Sequence, residues 1–394
     1  MLQTFPKEAL AIFGGEAALP EPPRTHMPLT DAFAGELRSL IEERPLSSLF
    51  GEGEVAAFET AFAAHCGRRY AVALNSGTSS LHTALTAAGI GPGDDVAVTC
   101  FSFVASASVI VQAGARPVFV DIDPDTLSMD IGDLKRRLTS RTRAVITAHL
   151  FGIPGDIVAL SDFCRKEGLL LIEDACQALG ASVNGRKVGS FGDLGCFSFN
   201  VKKIIQTGEG GMLTTDNAEL AEAAREIRVN GLSIFGVERL GFNYTLTNLQ
   251  ALLGLYQLNR LEDILARRNA YAEKLGGAIR DYAKVFEERR SDVTAAPYAV
   301  AFEIPEAIGS RRDMVVAALA REGVPISGVY SVLYDHDQVF AEDGAAPCAV
   351  AEGLVPRLLS VNPSHLYTAE DIDAVCLGLR KVLSNLDSLP TWSD

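Results

Sequence analysis

Closely spaced cysteine pairs are absent from this sequence. Its seven cysteines are scattered and odd in number, and no two of them form a C-x-x-C pair. Zinc sites and disulfide frameworks both use recurrent cysteine spacings, so neither is indicated. We expect small buried thiols in a reducing compartment instead.

Concentrated positive charge is also scarce. The formal net charge is −15, and the densest basic run, Lys135-Arg136-Arg137, has Asp133 close by. Binding to a phosphate backbone needs clustered lysine and arginine, so the sequence argues against a nucleic-acid partner.

Long apolar runs that would indicate a membrane span or a signal peptide are missing. The first twenty residues carry two acids, Glu8 and Glu16, and only a short apolar run. The uncharged stretch 96–115 contains several serine and threonine residues, which favours a strand, a loop and a helix over a span. We therefore expect a cytoplasmic protein with no membrane partner.

Several common catalytic motifs are absent as well. The sequence contains no G-x-G-x-x-G turn, no Walker A loop, no G-x-S-x-G elbow and no H-E-x-x-H pair. Its six histidines are scattered, and no two have the spacing of metal ligands. No metal site is therefore predicted.

What the sequence does contain, from residue 69 onward, is an alternation of short apolar runs with helical stretches. Such runs are typical of strands that are covered on both faces, as in a mainly parallel sheet. The pattern predicts an α/β domain built on a mainly parallel seven-stranded sheet. The seven runs are residues 69–75, 95–100, 117–123, 144–150, 169–174, 195–199 and 211–215.

The pattern changes near Thr247. One long amphipathic helix over residues 248–275 is predicted to lead into a smaller α+β domain. That domain is expected to have a strand over residues 296–304 and helices near 311–322 and 369–384. We therefore divide the chain into an N-terminal arm with the large domain (residues 1–250) and the bridging helix with the small C-terminal domain (residues 251–394).

The segment 75–79, Asn-Ser-Gly-Thr-Ser, follows one predicted strand and opens a helix. Ligands of open α/β sheets bind at the carboxyl ends of the strands. Gly77 would let an anion approach the free N–H groups of the first helical turn, and Thr78 could add its hydroxyl. The same residues also suit an ordinary helix N-cap, and both interpretations stay open.

Asp174 ends a second predicted strand, and Lys203 follows a third. A carboxylate at a strand end suits a cationic ring nitrogen, but it also suits turn capping or metal binding. A partly desolvated lysine before the glycine-rich segment 208–211 can act as nucleophile and proton carrier. A Lys202-Lys203 pair on a surface loop is the commoner case, so only the company of the other motifs favours the chemical interpretation.

These segments together resemble the sugar aminotransferases of the DegT/DnrJ/StrS family. The similarity runs from residues 51–85 to residues 356–375, so it covers most of the chain in the family's order. The blocks between them are FSFVASASVIVQAGARPVFVDID (101–123), HLFGIPGDI (149–157), IEDACQALGA (172–181), FSFNVKKIIQTGEGG (197–211) and LGFNYTLTNLQALLG (240–254).

The resemblance implies the fold of type I pyridoxal-phosphate (PLP) enzymes and a chemical role for three residues. Lys203, five residues before Gly208, falls on the lysine that holds the cofactor as a Schiff base. Asp174 would pair with the pyridine nitrogen, and Gln177 would approach the phenolic oxygen or the ring.

The resemblance also assigns the remaining cofactor contacts. Gly77, Thr78 and Ser198 would bind the phosphate, and Phe103 would stack on the ring. Asn243 matches an asparagine that reaches the phosphate of the neighbouring subunit. A homodimer with shared active sites is therefore implied.

The activity implied is transamination, in which the cofactor alternates between PLP and pyridoxamine phosphate (PMP). The donor would be glutamate or glutamine. The acceptor would be a keto-sugar nucleotide or a keto-cyclitol, in amino-sugar or antibiotic biosynthesis or in a cell-envelope pathway. Two departures put the acceptor contacts in question: Thr245-Leu246 stand where the family has Arg-Met, and 330–334 replaces a Pro-Leu-His segment.

Two alternatives remain at this point. The related PMP-dependent sugar 3-dehydrases have the same fold but carry histidine in place of the lysine, so Lys203 argues against that activity. A non-catalytic PLP-fold protein would be expected to lack the aspartate or the lysine, or to carry a DNA-binding domain, and neither is seen.

Overall fold

The computed structural model describes residues 5–23, 25, 27–288, 290–335, 340 and 346–390. Its strands are β1 (Tyr70–Leu74), β2 (Asp95–Thr99), β3 (Arg116–Val120), β4 (Thr142–Ala148), β5 (Leu170–Asp174), β6 (Ser182–Val183), β7 (Arg186–Lys187), β8 (Leu194–Ser198), β9 (Gly211–Thr215), β10 (Leu232–Ser233), β11 (Gly236–Val237), β12 (Lys284–Phe286), β13 (Val293–Thr294), β14 (Val300–Glu303), β15 (Ile326–Gly328) and β16 (Leu358–Val361). Its α-helices are α1 (Asp31–Glu43), α2 (Glu54–Cys66), α3 (Gly77–Ala87), α4 (Ala105–Gln112), α5 (Ile131–Arg137), α6 (Ile157–Glu167), α7 (Ala218–Arg228), α8 (Asn248–Leu258), α9 (Leu261–Ile279), α10 (Arg312–Arg321), α11 (Ala349–Leu354) and α12 (Ala369–Leu383).

The predicted seven-stranded sheet is confirmed. The seven apolar runs form one sheet in the order β1-β9-β8-β5-β4-β2-β3. Four of its pairings are parallel, and only β9 runs antiparallel to its neighbours β1 and β8. Val96 and Val98 of β2 enter one core cluster and Ala97 enters another, as the alternation of side chains along a strand requires for a sheet covered on both faces.

A smaller α+β unit follows, also as predicted. Strands β12, β14, β16 and β15 form an antiparallel sheet in that order. Helices α9, α10 and α12 share a core with it, which includes Leu275, Phe302, Leu319 and Leu379. The domain boundary near residue 250 stays a prediction.

The single bridging helix predicted over residues 248–275 is wrong in one respect, because the chain forms two helices there. Helix α8 ends at Leu258, and Arg260 has φ −116° and ψ 9°, outside the helical region. The Arg260 N–H donates a hydrogen bond to Gln257 O in a tighter turn, and the guanidinium Nη1 of Arg260 donates one to the Tyr256 carbonyl at 3.0 Å. The apolar periodicity continues across this break, so the pattern could not reveal it.

The N-terminal arm is fastened to the smaller unit by a buried ion pair. The Glu322 carboxylate, fully buried, accepts hydrogen bonds from Lys381 Nζ at 2.6 Å, Ala11 N at 2.8 Å and Ala18 N at 3.0 Å. Lys381 Nζ also donates to Glu16 O at 2.7 Å. Both charges are therefore hydrogen-bonded to each other and to backbone groups, as burial demands.

Another contact carries the C-terminal part of the chain over the end of the large sheet. Asp121, just after β3, accepts hydrogen bonds from Val350 N and Ala351 N at the start of α11. Phe101, just after β2, forms an isolated antiparallel bridge with Val332. Residues 329–333 are thereby held above the carboxyl ends of the strands.

The same contact brings the Cys100 and Cys348 thiols to within 4.8 Å of the Asp121 carboxylate and of one another. The Asp121 oxygens already accept three backbone N–H groups, from Ile122, Val350 and Ala351. The Cys348 thiol and burial raise the pKa of the Cys100 thiol, which disfavours the thiolate that a metal would need. We therefore interpret Asp121 as a helix cap. All seven cysteines are free thiols.

Among the described residues, no helix combines the length and the apolar composition that crossing a membrane requires.

Candidate active site

A cavity of about 520 Å³ lies where the strands of the large sheet end, a size common for ligand sites. Tyr298 and Tyr330, from the C-terminal half of the chain, complete its wall. Seven of the eight residues singled out from the sequence line this one cavity: Gly77, Thr78, Phe103, Asp174, Gln177, Ser198 and Lys203. The eighth, Asn243, does not.

One end of the cavity is built to receive an anion. Ser76 caps α3 by accepting the Ser79 N–H at 3.0 Å on its hydroxyl and the Ser80 N–H at 3.1 Å on its carbonyl. The N–H groups of Gly77 and Thr78 have no partner among the described residues, and both residues line the cavity. Free N–H groups at a helix start attract phosphate.

Gly77 is required here by close packing as well. A β-carbon at this position would lie 2.7 Å from Ser198 Cβ and 2.9 Å from Cys176 Sγ. Ser198 ends β8 on the same side of the cavity, so its hydroxyl lies near the start of α3. The helix start and the strand end therefore form one wall.

Asp174 is held in a fixed orientation at the end of β5. Its Oδ2 accepts a hydrogen bond from Ser106 Oγ at 2.8 Å, and its Oδ1 accepts one from Cys176 N at 3.2 Å. Ser106 Oγ lies 2.9 Å from Ser102 Oγ. These hydrogen bonds fix the orientation of the carboxylate and leave lone pairs on its oxygens for a proton donor in the cavity.

The neighbouring acid, Glu173, has a structural role instead. Its side chain points to the opposite face and is fully buried, where it accepts N–H groups from Gly189 at 2.8 Å and Gly192 at 2.7 Å. Burial opposes ionisation, but these bonds and the one with His149 Nε2 lower the pKa of the Glu173 carboxyl overall. Asp174 alone of this pair presents a carboxylate to the cavity.

Lys203 projects into the cavity from the turn that follows β8. Its backbone N–H bonds Asn200 O at 2.8 Å, which shapes the turn, and its Nζ lies 4.9 Å from the centroid of the Tyr298 ring. No carboxylate of the described residues forms an ion pair with it. Its amine is thus held beside an aromatic face and stays free to react.

Gln177 is oriented by two hydrogen bonds. Its Oε1 accepts the Phe151 N–H at 2.9 Å, and its Nε2 donates to the Tyr330 hydroxyl at 2.9 Å. Burial raises the pKa of Tyr330, so its hydroxyl stays protonated. One amide hydrogen of Gln177 remains for a ligand.

Phe151, in the same wall, adopts a left-handed backbone conformation with φ 59°. A non-glycine residue reaches this region only when its surroundings hold it there. The Phe151 N–H donates to the Gln177 side chain, and the Phe151 carbonyl accepts the Tyr298 N–H at 3.0 Å. Phe151 therefore links Gln177 to Tyr298.

Phe103 offers an aromatic surface to the cavity. Its side chain lines the cavity and is half exposed, and its ring lies 5.6 Å from that of Tyr330, tilted by 60°. An accessible ring at this place is suited to stacking on a flat heterocycle.

Asn243 lies outside the cavity of its own chain. It is exposed, its carbonyl accepts Asn75 Nδ2 at 3.2 Å, and its Oδ1 accepts Thr245 Oγ1 at 3.1 Å. The nearby hairpin β10–β11 exposes Ile234 and Phe235 by 84% and 85%. The role of Asn243 toward a second subunit therefore stays a prediction.

Sequence reasoning missed Ser106 and Tyr298, and it noted Tyr330 only as a departure from the family pattern. Ser106 is an ordinary small residue of α4, and nothing in its neighbourhood along the chain indicates that it bonds Asp174. Tyr298 precedes β14, where an aromatic residue is unremarkable. Their roles depend on contacts between distant segments, which no local pattern encodes.

Several known proteins are similar to this chain over most of its length. A model of the DegT/DnrJ/EryC1/StrS aminotransferase family matches residues 33–380. GDP-perosamine synthase of Caulobacter vibrioides is 37% identical over 340 residues, which cover 84% of this chain and 90% of the relative. UDP-N-acetyl-3-dehydro-alpha-D-glucosamine 3-aminotransferase of Acidithiobacillus ferrooxidans is 34% identical over 364 residues, covering 91% and 96%. The structure of DesI in the presence of its TDP-sugar product superposes with a TM-score of 0.86 at 30% identity, covering 96% of this chain and 97% of that one.

Proposed function

The chain belongs to the DegT/DnrJ/EryC1/StrS aminotransferase family, and from this premise we propose that it moves an amino group from glutamate or glutamine to a keto sugar carried by a nucleotide. One observation carries the proposal for the chemistry. The free amine of Lys203 and the fixed carboxylate of Asp174 open on the same cavity, beside the unpaired N–H groups of Gly77 and Thr78.

These residues fit pyridoxal phosphate. The N–H groups of Gly77 and Thr78, with the Thr78 and Ser198 hydroxyls, would hold its phosphate. Lys203 Nζ would hold it covalently, and Asp174 would accept the hydrogen of its ring nitrogen. When bound, the cofactor supplies an electron sink and carries the amino group from donor to acceptor.

Lys203 Nζ has a second task in this proposal. Once the incoming amino donor has displaced it from the cofactor, the free amine would take the proton from the α-carbon of the donor, and later it would deliver a proton to the carbon that receives the amino group. Its place beside the Tyr298 ring, with no ion pair to a carboxylate of the described residues, supports this proposed role.

The surrounding residues orient and shield the reaction. Ser106 and Cys176 N hold the Asp174 carboxylate in one position, so that no reorganisation is needed as charge develops. Phe103 and Tyr330 enclose the cavity on the open side and reduce access of water.

The proposed class of acceptor, a keto sugar linked to a nucleotide, is inferred from two similar proteins. The name of the Acidithiobacillus relative specifies a keto sugar on UDP, and the DesI structure was obtained with a TDP-sugar. Since the chain covers at least 90% of both proteins, we infer the same class of acceptor here. Biosynthesis of an amino sugar, in an antibiotic or a cell-envelope glycan, is the matching context.

The acceptor can be identified with the purified protein loaded as PMP. Keto sugars linked to UDP, GDP or dTDP are added separately, and a keto-cyclitol serves as the comparison. We expect the yellow absorbance of the lysine-bound cofactor to return with a nucleotide-linked keto sugar. Its return with the keto-cyclitol alone would make the cyclitol the substrate, and no return with any acceptor would contradict aminotransferase activity.

We also propose a homodimer in which Asn243 serves the cavity of the partner. The exposed Ile234 and Phe235 beside it support this, because exposed apolar side chains in a group mark contact surfaces.

Subunits carrying Lys203→Ala and subunits carrying Asn243→Ala, both inactive alone, are mixed after partial unfolding. Mixed dimers should regain one intact site. If both variants are inactive alone and mixing restores nothing, Asn243 acts within its own chain.

A further inference from the structure

The cavity of the active site contains a second lysine that the chemistry proposed above does not use. Lys202 and Lys203 are the only lysines or arginines among the described residues that line it. Lys203 is partly buried and beside Tyr298, whereas Lys202 is exposed. When the cofactor is bonded to Lys203 Nζ, Lys202 is the one lysine or arginine among the described lining residues that keeps a free ammonium group.

The backbone that carries Lys202 is well braced. Its N–H donates to Asn200 Oδ1 at 3.2 Å, and Asn200 Nδ2 donates to Glu209 Oε1 at 2.7 Å. The Glu209 carbonyl accepts Thr207 Oγ1 at 2.7 Å and Gln250 Nε2 at 2.6 Å. These bonds fix where the side chain of Lys202 begins.

The charge of Lys202 is left without a partner by this arrangement. Glu209 is the nearest carboxylate along the turn, and Asn200 occupies one of its oxygens. No ion pair connects Lys202 with any residue that the structure describes. An exposed ammonium on a braced turn, at the edge of a substrate cavity, is suited to binding an anionic substrate group.

We propose that Lys202 binds the diphosphate of the nucleotide-linked acceptor, an inference that rests on the acceptor class proposed above. The acceptor must place its carbonyl carbon within reach of Lys203 Nζ, in the interior of the cavity. Its diphosphate then lies farther out, on the side where Lys202 is exposed. The α-carboxylate of the amino donor is bonded directly to the reacting carbon, so it would lie close to Lys203 Nζ.

The test is isothermal titration calorimetry, in which UDP, GDP or dTDP is titrated into the cofactor-loaded protein. Lys202→Met removes the charge and keeps an unbranched side chain that is only one atom shorter, and Lys202→Arg keeps the charge. Lys166→Met is the matched control, because Lys166 is also exposed but lies outside the cavity. We expect Lys202→Met to weaken the tightest-binding diphosphate about tenfold, which is about 1.4 kcal/mol. Lys202→Arg and Lys166→Met should stay within about twofold of the parent protein.

Two further measurements separate the possible outcomes. Added salt should weaken binding in the parent protein more than in Lys202→Met, since an exposed charge contact is screened. The rate at which glutamate converts the loaded cofactor should be the same in both proteins.

Equal diphosphate binding by the parent protein and Lys202→Met would overturn the role of Lys202 and leave the acceptor class intact. A loss confined to the glutamate step would instead assign Lys202 to the donor carboxylate. Failure of the parent protein to bind any of the three diphosphates, with amino transfer to a keto-cyclitol, would overturn both the acceptor class and this inference.

Discussion

Replacing Lys203 by alanine is expected to abolish covalent attachment of the cofactor and to lower the transamination rate by at least about 10³-fold. The structure gives the physical reason. Lys203 Nζ is the amine held beside Tyr298, and the one other lysine among the described residues that line the cavity, Lys202, is exposed. The variant loses the covalent anchor and the proton carrier together, so the two effects should appear in one protein.

The measurement is mass spectrometry of the protein after borohydride reduction, together with the absorbance of the bound cofactor. Lys202→Ala is the matched control, because it removes the adjacent, exposed lysine. It should keep the yellow colour and the mass of the attached cofactor on the peptide that contains Lys203. Attachment to Lys202 in the parent protein would move the assignment by one residue and refute the role given to Lys203.

Replacing Asp174 by alanine should leave a protein that binds the cofactor weakly and transaminates about 10³-fold more slowly, a loss of about 4 kcal/mol in transition-state stabilisation. The carboxylate is the only one that the structure presents to the cavity from the end of β5, because Glu173 points to the other face. Without it, no fixed negative charge holds the proton on the ring nitrogen.

The rate constants of Asp174→Ala are measured at saturating cofactor, and the dissociation constant of the cofactor is measured separately. Ser106→Ala is a graded control, since it removes one hydrogen bond to Asp174 Oδ2 and leaves the charge in place. We expect it to lose about tenfold in rate. Normal turnover by Asp174→Ala at saturating cofactor would show that another group serves the ring nitrogen.

The strands of the large sheet could be predicted because each is apolar along its whole length. Strands that are buried on both faces leave such runs in the sequence, and all seven runs became strands of one sheet. Their order could not be predicted. The insertion of β9 between β1 and β8, antiparallel to both, depends on which edges meet in three dimensions, and no local signal records it.

The candidate site was partly accessible from the sequence for a related reason. Gly77 and Lys203 follow strands and Asp174 ends one, and parallel strands of one sheet end at the same edge, so these residues could be expected to converge. The opposite roles of Glu173 and Asp174 follow from the alternation of side chains along β5, although the sequence alone did not say which of the two faces the cavity.

The residues that support Asp174 and Gln177 were out of reach of sequence reasoning. Ser106 and Tyr330 make contacts across 68 and 153 positions of the chain. Such contacts are decided by tertiary packing, and a serine or a tyrosine carries no mark of them. The family resemblance supplied roles for the residues that bind the cofactor, but not for those that hold these residues in place.

The fastening of the N-terminal arm has a consequence for biosynthesis of the protein. Glu16 and Lys381 are 365 positions apart, so the arm emerges from the ribosome long before its binding site on α12 has been translated. The strands of the large sheet can pair earlier, since all of them lie before residue 216. The smaller unit can close around Glu322 only after nearly the whole chain has been synthesised, so we expect it to complete its folding after the large sheet.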